Sequence, residues 1–396
     1  MPTPDSIVIA GCARTPIGGF QGDLKELSAP ELGSVAIRAA VERAGIPGES
    51  IQEILFGCVL PAGLGQAPAR QAALGAGLPQ STGATTINKV CGSGMKAVML
   101  AHDLIRAGSI DVAVAGGMES MSNAPYLLQG ARAGYRLGHQ SIYDHMFLDG
   151  LEDAYDKGRL MGTFAEKCAQ MYSFSRAEQD AFALRSLARA QRAIADRSFA
   201  AEIVPVIVKT DKTERTVEHD ELPQKAKPEK IPTLKPAFEE NGTVTAANSS
   251  SISDGAAALV LMRESVAERS GVRPLARIVG HATCAQAPDL FTTAPIGAIR
   301  KLAERTGWAL GNVDLFEINE AFAVVAMAAM RDLQLPPGIV NVHGGACALG
   351  HPIGASGARI LVTLLAALGK HGLKRGIAAL CIGGGEATAV AIERIE

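Results

Sequence analysis

The chain has 396 residues, roughly two to three times a usual domain, so two or three packed units are expected rather than one core. Its 38 Lys and Arg against 40 Asp and Glu leave a formal net charge of -2, which removes any global electrostatic reason to expect nucleic acid or an acidic membrane as partner. The 43 glycines and the 47% hydrophobic content, with few aromatics, suit helices packed tightly on sheets with many close turns, an enzyme-like composition.

The longest strongly apolar stretch, Phe322 to Met330, is far short of a membrane span, and Met1 to Ser6 carry no basic region ahead of an apolar one. A soluble, unexported chain is expected, and because Glu393 to Glu396 hold no peroxisomal tripeptide, a cytoplasmic one. Seven cysteines, Cys12, Cys58, Cys91, Cys168, Cys284, Cys347 and Cys381, are an odd number and contain no C-x-x-C pair. That argues against a disulfide framework and a zinc knuckle, and no metal ligand set is expected. Cys12, Cys58, Cys168 and Cys284 read as small reduced core residues.

In chain order, short apolar runs alternate with helical patterns: Ser6 to Ala10, Glu53 to Val59, Asp111 to Ala115, Leu275 to Val279, Asp314 to Ile318 and Gly376 to Ile382. They read as buried strands of an α/β sheet. After Cys91, the apolar residues Met95, Val98, Met99 and Ile105 keep helical spacing until Gly108 stops the helix, which puts Cys91 at a strand-to-helix turn. Ser93-Gly94, a helix, the strand Val112 to Ala115 and Gly116-Gly117-Met118-Glu119 form one unit. Ser356-Gly357, a helix through Leu361, Leu364 and Leu368, the strand Ile377 to Ile382 and Gly383-Gly384-Gly385-Glu386 form another. The repetition predicts an internal duplication, with halves at 1–119 plus 250–270 and at 271–396.

Residues 120–249 differ in character and read as an insertion. A Tyr- and Arg-bearing stretch, Tyr126 to Tyr143, is followed by an amphipathic helix opened by the capping box Ser175-Arg-Ala-Glu178. From Lys209 to Pro236, four prolines interleave with lysines and predict an extended basic loop, either a solvated excursion or a cradle for a phosphate-bearing ligand.

Asn88-Lys-Val-Cys91-Gly-Ser-Gly94 sets a thiol at a helix N-terminus, where backbone N–H groups and the dipole favour thiolate. His351, in Gly350-His351-Pro352-Ile-Gly354-Ala-Ser356-Gly357, is held in a loop at a helix mouth and has the pKa to take a thiol proton. Each alone has a bland reading, a buried cysteine and a surface histidine, and their pairing decides. Cys381, at the end of a small-residue strand and mirroring Cys91 in the other half, is either a buried strand residue or a second thiol that shuttles a proton. Forming a carbon–carbon bond at a thioester α-carbon needs such a base, together with donors for the enolate oxygen. Asn319, between a strand and a helix, reads equally as an N-cap or as an amide that orients a water.

Taken together, Asn88 to Gly94, Asn319-Glu-Ala-Phe322, Gly350 to Gly357 and Cys381-Ile-Gly383-Gly384-Gly385 resemble the active-site motifs of the thiolase family, and Ala13-Arg14-Thr15-Pro16-Ile-Gly18 resembles its N-terminal signature. The match runs from about residue 7 to about residue 390 in the expected order. The resemblance implies a five-layered α/β/α/β/α sandwich of two βαβαβ halves, five strands each, with residues 120–249 as a loop domain for CoA binding and oligomerisation in dimers or tetramers. It implies a reversible Claisen condensation of two acyl-CoA through an acyl-Cys91 intermediate, with CoA as substrate and product and no further cofactor. His351 would activate Cys91 and, with a water held by Asn319, form one oxyanion hole. The N–H groups of Cys91 and Gly383 would form a second, and Cys381 would be the acid/base. Ser250 would contact the pantetheine, with Leu160, Met161, Phe291 and Ala321 as further substrate contacts.

The chain departs from the family at Leu160, where short-chain biosynthetic members carry histidine before Met161-Gly162, which leaves room for a longer or branched acyl group without fixing the chain length. His343, where many relatives have asparagine, has no mechanistic reading, and Cys347 is expected only to pack. A ketoacyl synthase of the same fold is the nearest rival, opposed by Cys381 where that class needs histidine or asparagine. A non-catalytic acyl-CoA or lipid binder would need none of Cys91, His351 and Cys381. No G-x-G-x-x-G stands in a βαβ context, which opposes a dinucleotide site.

Overall fold

The computed structural model describes residues 5–210 and 213–395. Its main sheet runs in spatial order through Leu315–Ile318, Arg375–Ile382, Glu386–Arg394, Ala276–Ala285, Ile7–Arg14, Ser253–Arg263, Val112–Ser120, Glu53–Gly57 and Gly83–Ile87. The two sides of this order repeat one another. In each, the strands farthest from the join are parallel and the two nearest it are antiparallel. The join is slight, Val8 and Ile9 pairing with Arg277 and Ala276.

All six predicted strands are present, but Gly83–Ile87, Ser253–Arg263 and Glu386–Arg394 went unpredicted. The expected fifth strand of the second half is reduced to one bridge, Phe316 to Val340. Pro336 and Pro337 turn the chain into a 3-10 helix at Pro337–Ile339, and Asn341 at φ 49 turns it away again, so only Val340 stays extended.

Strand side chains alternate between core layers, which is why the strands read as unbroken apolar runs. Val8, Ala10, Ile54 and Phe56 meet the helices Ala29–Ala44 and Pro68–Gly75 on one outer face. Ile7, Ile9, Leu55, Ala378 and Leu380 face inward on the helices Ser93–Ala107 and Ser356–His371. Ile377, Ala379 and Cys381 meet Ala294–Thr306 and Ala323–Asp332 on the other outer face. The layers are therefore α/β/α/β/α.

The internal mirror holds for the helices and strands but breaks at the glycines. Gly116 and Gly117 continue the strand to Ser120, whereas Gly384 and Gly385, at φ 88 and 87, make the turn into Glu386–Arg394. Nor is Cys381 the counterpart of Cys91. Cys91 precedes the first central helix, while Cys381 ends the strand that follows the second.

In the inserted stretch, Ser175 and Glu178 cap the helix Arg176–Ala195 reciprocally, as expected. The predicted extended basic loop is instead folded. Val206–Lys209 pairs with Glu214–Val217, and the short helices Glu221–Lys225 and Pro228–Thr233 follow; Asp211 and Lys212 lie outside the described residues. Buried carboxylates explain the folding. Arg14, fully buried, binds Glu202 at 2.7 Å and Asp220 at 2.7 and 2.9 Å, and Asp220 also accepts the Ile17 N–H.

Removing one member of a buried ion network leaves the others uncompensated. Arg14→Met should lower the unfolding free energy by about 3–5 kcal/mol in urea titrations. A loss under about 1 kcal/mol would show that Arg14 does not tie the insertion to the first half.

Candidate active site

Local hydrogen bonds set the Cys91 turn. Asn88 Oδ1 accepts the Val90 N–H at 2.9 Å, Val90 sits at φ 46, and Ser93 Oγ accepts the Lys89 N–H while donating to the Val90 carbonyl at 2.7 Å. The helix then starts at Ser93 with the thiol just ahead of it. A Cβ on Gly92 would stand 2.3 Å from Ile382 Cδ1, so glycine lets the turn lie against the strand that carries Cys381 without displacing the Ile382 side chain.

The expected preference for thiolate is not what the structure supports. Burial pushes the Cys91 thiol up to about 11, outweighing the N–H groups of Gly383 and of Cys91 itself, which reach the sulfur and lower it. His351 moves the opposite way for the same reason: burial, then the Arg359 charge, push it down to about 3. At neutral pH the pair is therefore a thiol and a neutral imidazole. Ser356 Oγ donates to the Pro352 carbonyl at 2.9 Å, so it accepts the His351 Nδ1–H at 2.5 Å. This fixes the tautomer with the Nε2 lone pair open, and Nε2 is buried without a protein partner.

One peptide joins the His351 loop to the other half. The Gly354 N–H donates to Glu119 Oε2 at 2.9 Å, and Glu119 also accepts the N–H groups of Val59 and Leu60 at 2.9 and 3.1 Å. The Gly354 carbonyl oxygen lies 2.7, 3.0 and 2.0 Å from where Cβ atoms on Gly57, Gly94 and Gly117 would stand. Burial raises Glu119 to about 7 despite its three donors. Glu119 was seen in the sequence only as the end of a repeat; its sole signal was an acid inside an otherwise apolar, glycine-bearing strand.

Cys91, His351 and Gly383 line a cavity of about 560 Å³, together with Leu160, Met161, Ser250, Phe291 and Ala321. Every expected substrate contact is thus brought there. Phe238 and Phe322 complete its apolar wall and meet edge-on at 6.0 Å; Phe238 and Phe147 were not foreseen. Asn319 and Cys381 do not line the cavity. Cys381 is fully buried close behind Cys91, and burial followed by the Cys91 charge drives its thiol far up. Asn319 is not the N-cap, a place taken by Phe322; its Oδ1 lies 3.4 Å from Arg359, and its buried Nδ2 has no protein partner.

Beside the cavity, and sharing Leu222, Ala246 and Ser251 with it, a groove of about 350 Å³ is lined by Lys225, Lys227, Lys230 and Cys347. Cys347 Sγ lies 3.6 Å from the Glu320 carbonyl. His343 is elsewhere, buried between Phe199 and His371 at ring distances of 5.9 and 5.5 Å.

Residues 7–265 match the family model described as Thiolase, N-terminal domain, and residues 272–394 match Thiolase, C-terminal domain. Acetyl-CoA acetyltransferase 1 of Arabidopsis thaliana is 52% identical over 394 residues, covering 98% of this chain and 94% of that protein. Among solved structures, the Bacillus anthracis acetyl-CoA acetyltransferase superposes with a TM-score of 0.97 at 41% identity, with both chains covered in full. Acat5 thiolase from Ascaris suum, in complex with coenzyme A, gives 0.93 at 41% identity, over 98% of this chain and 100% of that one.

A thiol held near 11 titrates late. Alkylation of Cys91 by iodoacetamide, without substrate, should accelerate about tenfold per pH unit from pH 7 to 9, in proportion to the thiolate fraction. A plateau below pH 8 would reveal a resting thiolate–imidazolium pair instead.

Proposed function

The chain belongs to the thiolase family, and we propose that its acyl intermediate is carried on Cys91 with His351 as the base. It is an acyl-CoA C-acyltransferase: two acyl-CoA condense reversibly to 3-ketoacyl-CoA and free CoA. The carrying observation is the Cys91 thiol and the open His351 Nε2 on one apolar cavity, with the Gly383 N–H at the sulfur. Neither the synthase reading nor that of a non-catalytic binder is favoured.

With thiol and imidazole both neutral at rest, proton transfer before attack is steeply uphill. The proton therefore passes to Nε2 as Cys91 Sγ bonds to the thioester carbon, when the negative charge moves to the carbonyl oxygen. The N–H groups of Cys91 and Gly383, already aimed at the sulfur, are the donors for that oxygen. The carbon–sulfur bond to CoA then breaks, and the departing sulfur takes the Cys381 proton, leaving Cys381 as the thiolate while His351 keeps the Cys91 proton. In the second half-reaction the Cys381 thiolate removes the α-proton of the next acyl-CoA, and the carbanion attacks acyl-Cys91 to form the new carbon–carbon bond and release the Cys91 sulfur, which takes its proton back from His351. Burial, which makes Cys381 a reluctant acid, makes its thiolate a strong base, as so weak a carbon acid requires. A water between His351 Nε2 and the Asn319 amide would hold the enolate oxygen; both groups are buried and lack protein partners.

The lysine-lined groove continuous with the cavity suits the phosphates of CoA, with Ser250 at the pantetheine between. Leu160, Phe291 and the neighbouring phenylalanines favour acyl groups longer or more branched than acetyl. A role in fatty acid metabolism and an assembly of two or four chains belong to the same proposal. Exposed Tyr126, Leu137 and Ile142 favour the assembly.

The deciding experiment is thiolysis of 3-ketoacyl-CoA of rising chain length, followed by loss of ketoacyl absorbance on adding CoA. Cleavage with an optimum beyond four carbons is expected; an optimum at acetoacetyl-CoA would reject the open-pocket reading. Cys91→Ser should abolish turnover and acyl-enzyme with the fold intact, and normal thiolysis by it would sink the nucleophile. Cys381→Ala should still acylate Cys91 but lose condensation by more than about a hundredfold. Equal loss of both steps would remove Cys381 from the acid/base role.

A further inference from the structure

Away from the cavity, the two halves meet a second time through polar side chains. His102 and Asp103 lie on the central helix Ser93–Ala107, and His281 on the strand Ala276–Ala285 of the other half. Asp103 Oδ1 is 3.0 Å from His102 Nδ1 and 2.8 Å from His281 Nε2, and the two rings meet edge-on at 5.1 Å. All three donor atoms lie within 4.8 Å of one another. His102 is buried and Asp103 exposed, so the cluster sits at the surface end of the central layer with one side open to water.

We propose that His102, Asp103 and His281 bind a divalent first-row transition-metal ion, of which Zn²⁺, Co²⁺ and Ni²⁺ are the type, pinning the central helix to the second half. Two imidazoles and one carboxylate are the donors such ions prefer. The spacing agrees with the donor set. An ion about 2.1 Å from each donor places neighbouring corners of an octahedron about 3.0 Å apart, the separation already present on both sides of Asp103 Oδ1. As the ion enters, each imidazole turns a lone pair to it and carries its single proton on the other ring nitrogen, and water completes the coordination. Arg106 acts on His102 through its charge, and Arg305 donates to the His281 carbonyl at 2.8 Å. These cations oppose any divalent ion, and with a single carboxylate among the donors Mg²⁺ and Ca²⁺ gain too little to bind, whereas imidazole-seeking ions keep two nitrogen donors. Residues 102 and 281 are too far apart in sequence for any spacing rule to have paired them.

The test uses the full-length, tag-free protein titrated with Co²⁺ and read by visible absorption. One equivalent per chain is expected, with weak d–d bands and no sulfur-to-cobalt charge transfer. Zn²⁺ should displace it, Mg²⁺ should not, and Zn²⁺ alone should raise the melting temperature. His281→Ala, on an intermediate-exposure position, should weaken binding by more than about tenfold and abolish the thermal shift. His102→Gln, checked for folding by circular dichroism, should do the same. No saturable binding, undiminished binding by His281→Ala, or a charge-transfer band that sends the ion to the cysteines would each overturn the site.

Discussion

The Gly354 peptide is the constraint on which the rest of the molecule depends. Its N–H is held by a carboxylate of the opposite half, and its carbonyl is pressed among three glycines of that half, each of which would collide with it if it carried a Cβ. This contact brings the His351 loop to the Cys91 helix. Interiors pack densely and tolerate overfilling poorly, so the fit is stiff rather than adjustable. The glycine richness of the chain, unremarkable as a percentage, is concentrated where one backbone must pass within reach of another.

The same dryness that makes the seam stiff governs the chemistry. Burial shifts the two reactive groups in opposite directions, raising the thiol and lowering the imidazole, so no charge is stored in the resting site. Charges that are buried sit elsewhere and are paired or multiply hydrogen-bonded: Arg14 with Glu202 and Asp220, Arg359 beside Glu317, and Glu119 with its three N–H donors. They fix the geometry around a cavity that is itself largely apolar.

Local grammar was legible in the sequence. Helical spacing and Gly108 located the helix after Cys91, the Ser175 and Glu178 box located the helix in the insertion, and motif order singled out Cys91 and His351, which line one cavity. What stayed hidden depends on contacts between distant residues. Ser253–Arg263 is apolar enough to read as a strand, but only its pairing with both Ile7–Arg14 and Val112–Ser120 shows that it returns to the first half. Glu119 was visible as a residue and invisible as a clamp, because its three donors come from positions 59, 60 and 354. The lysine-rich segment misled by composition: prolines and lysines suggested open chain, while Glu221 and Asp220 were binding it to residues 14–23.

Because the Cys91 thiol and the His351 imidazole come from opposite sides of one seam, a chain whose halves have not yet closed holds the two apart. Such a chain lacks the imidazole and the paired N–H donors that would make acyl transfer fast. Heat or denaturant that only parts the seam will therefore silence the enzyme while most of its secondary structure survives.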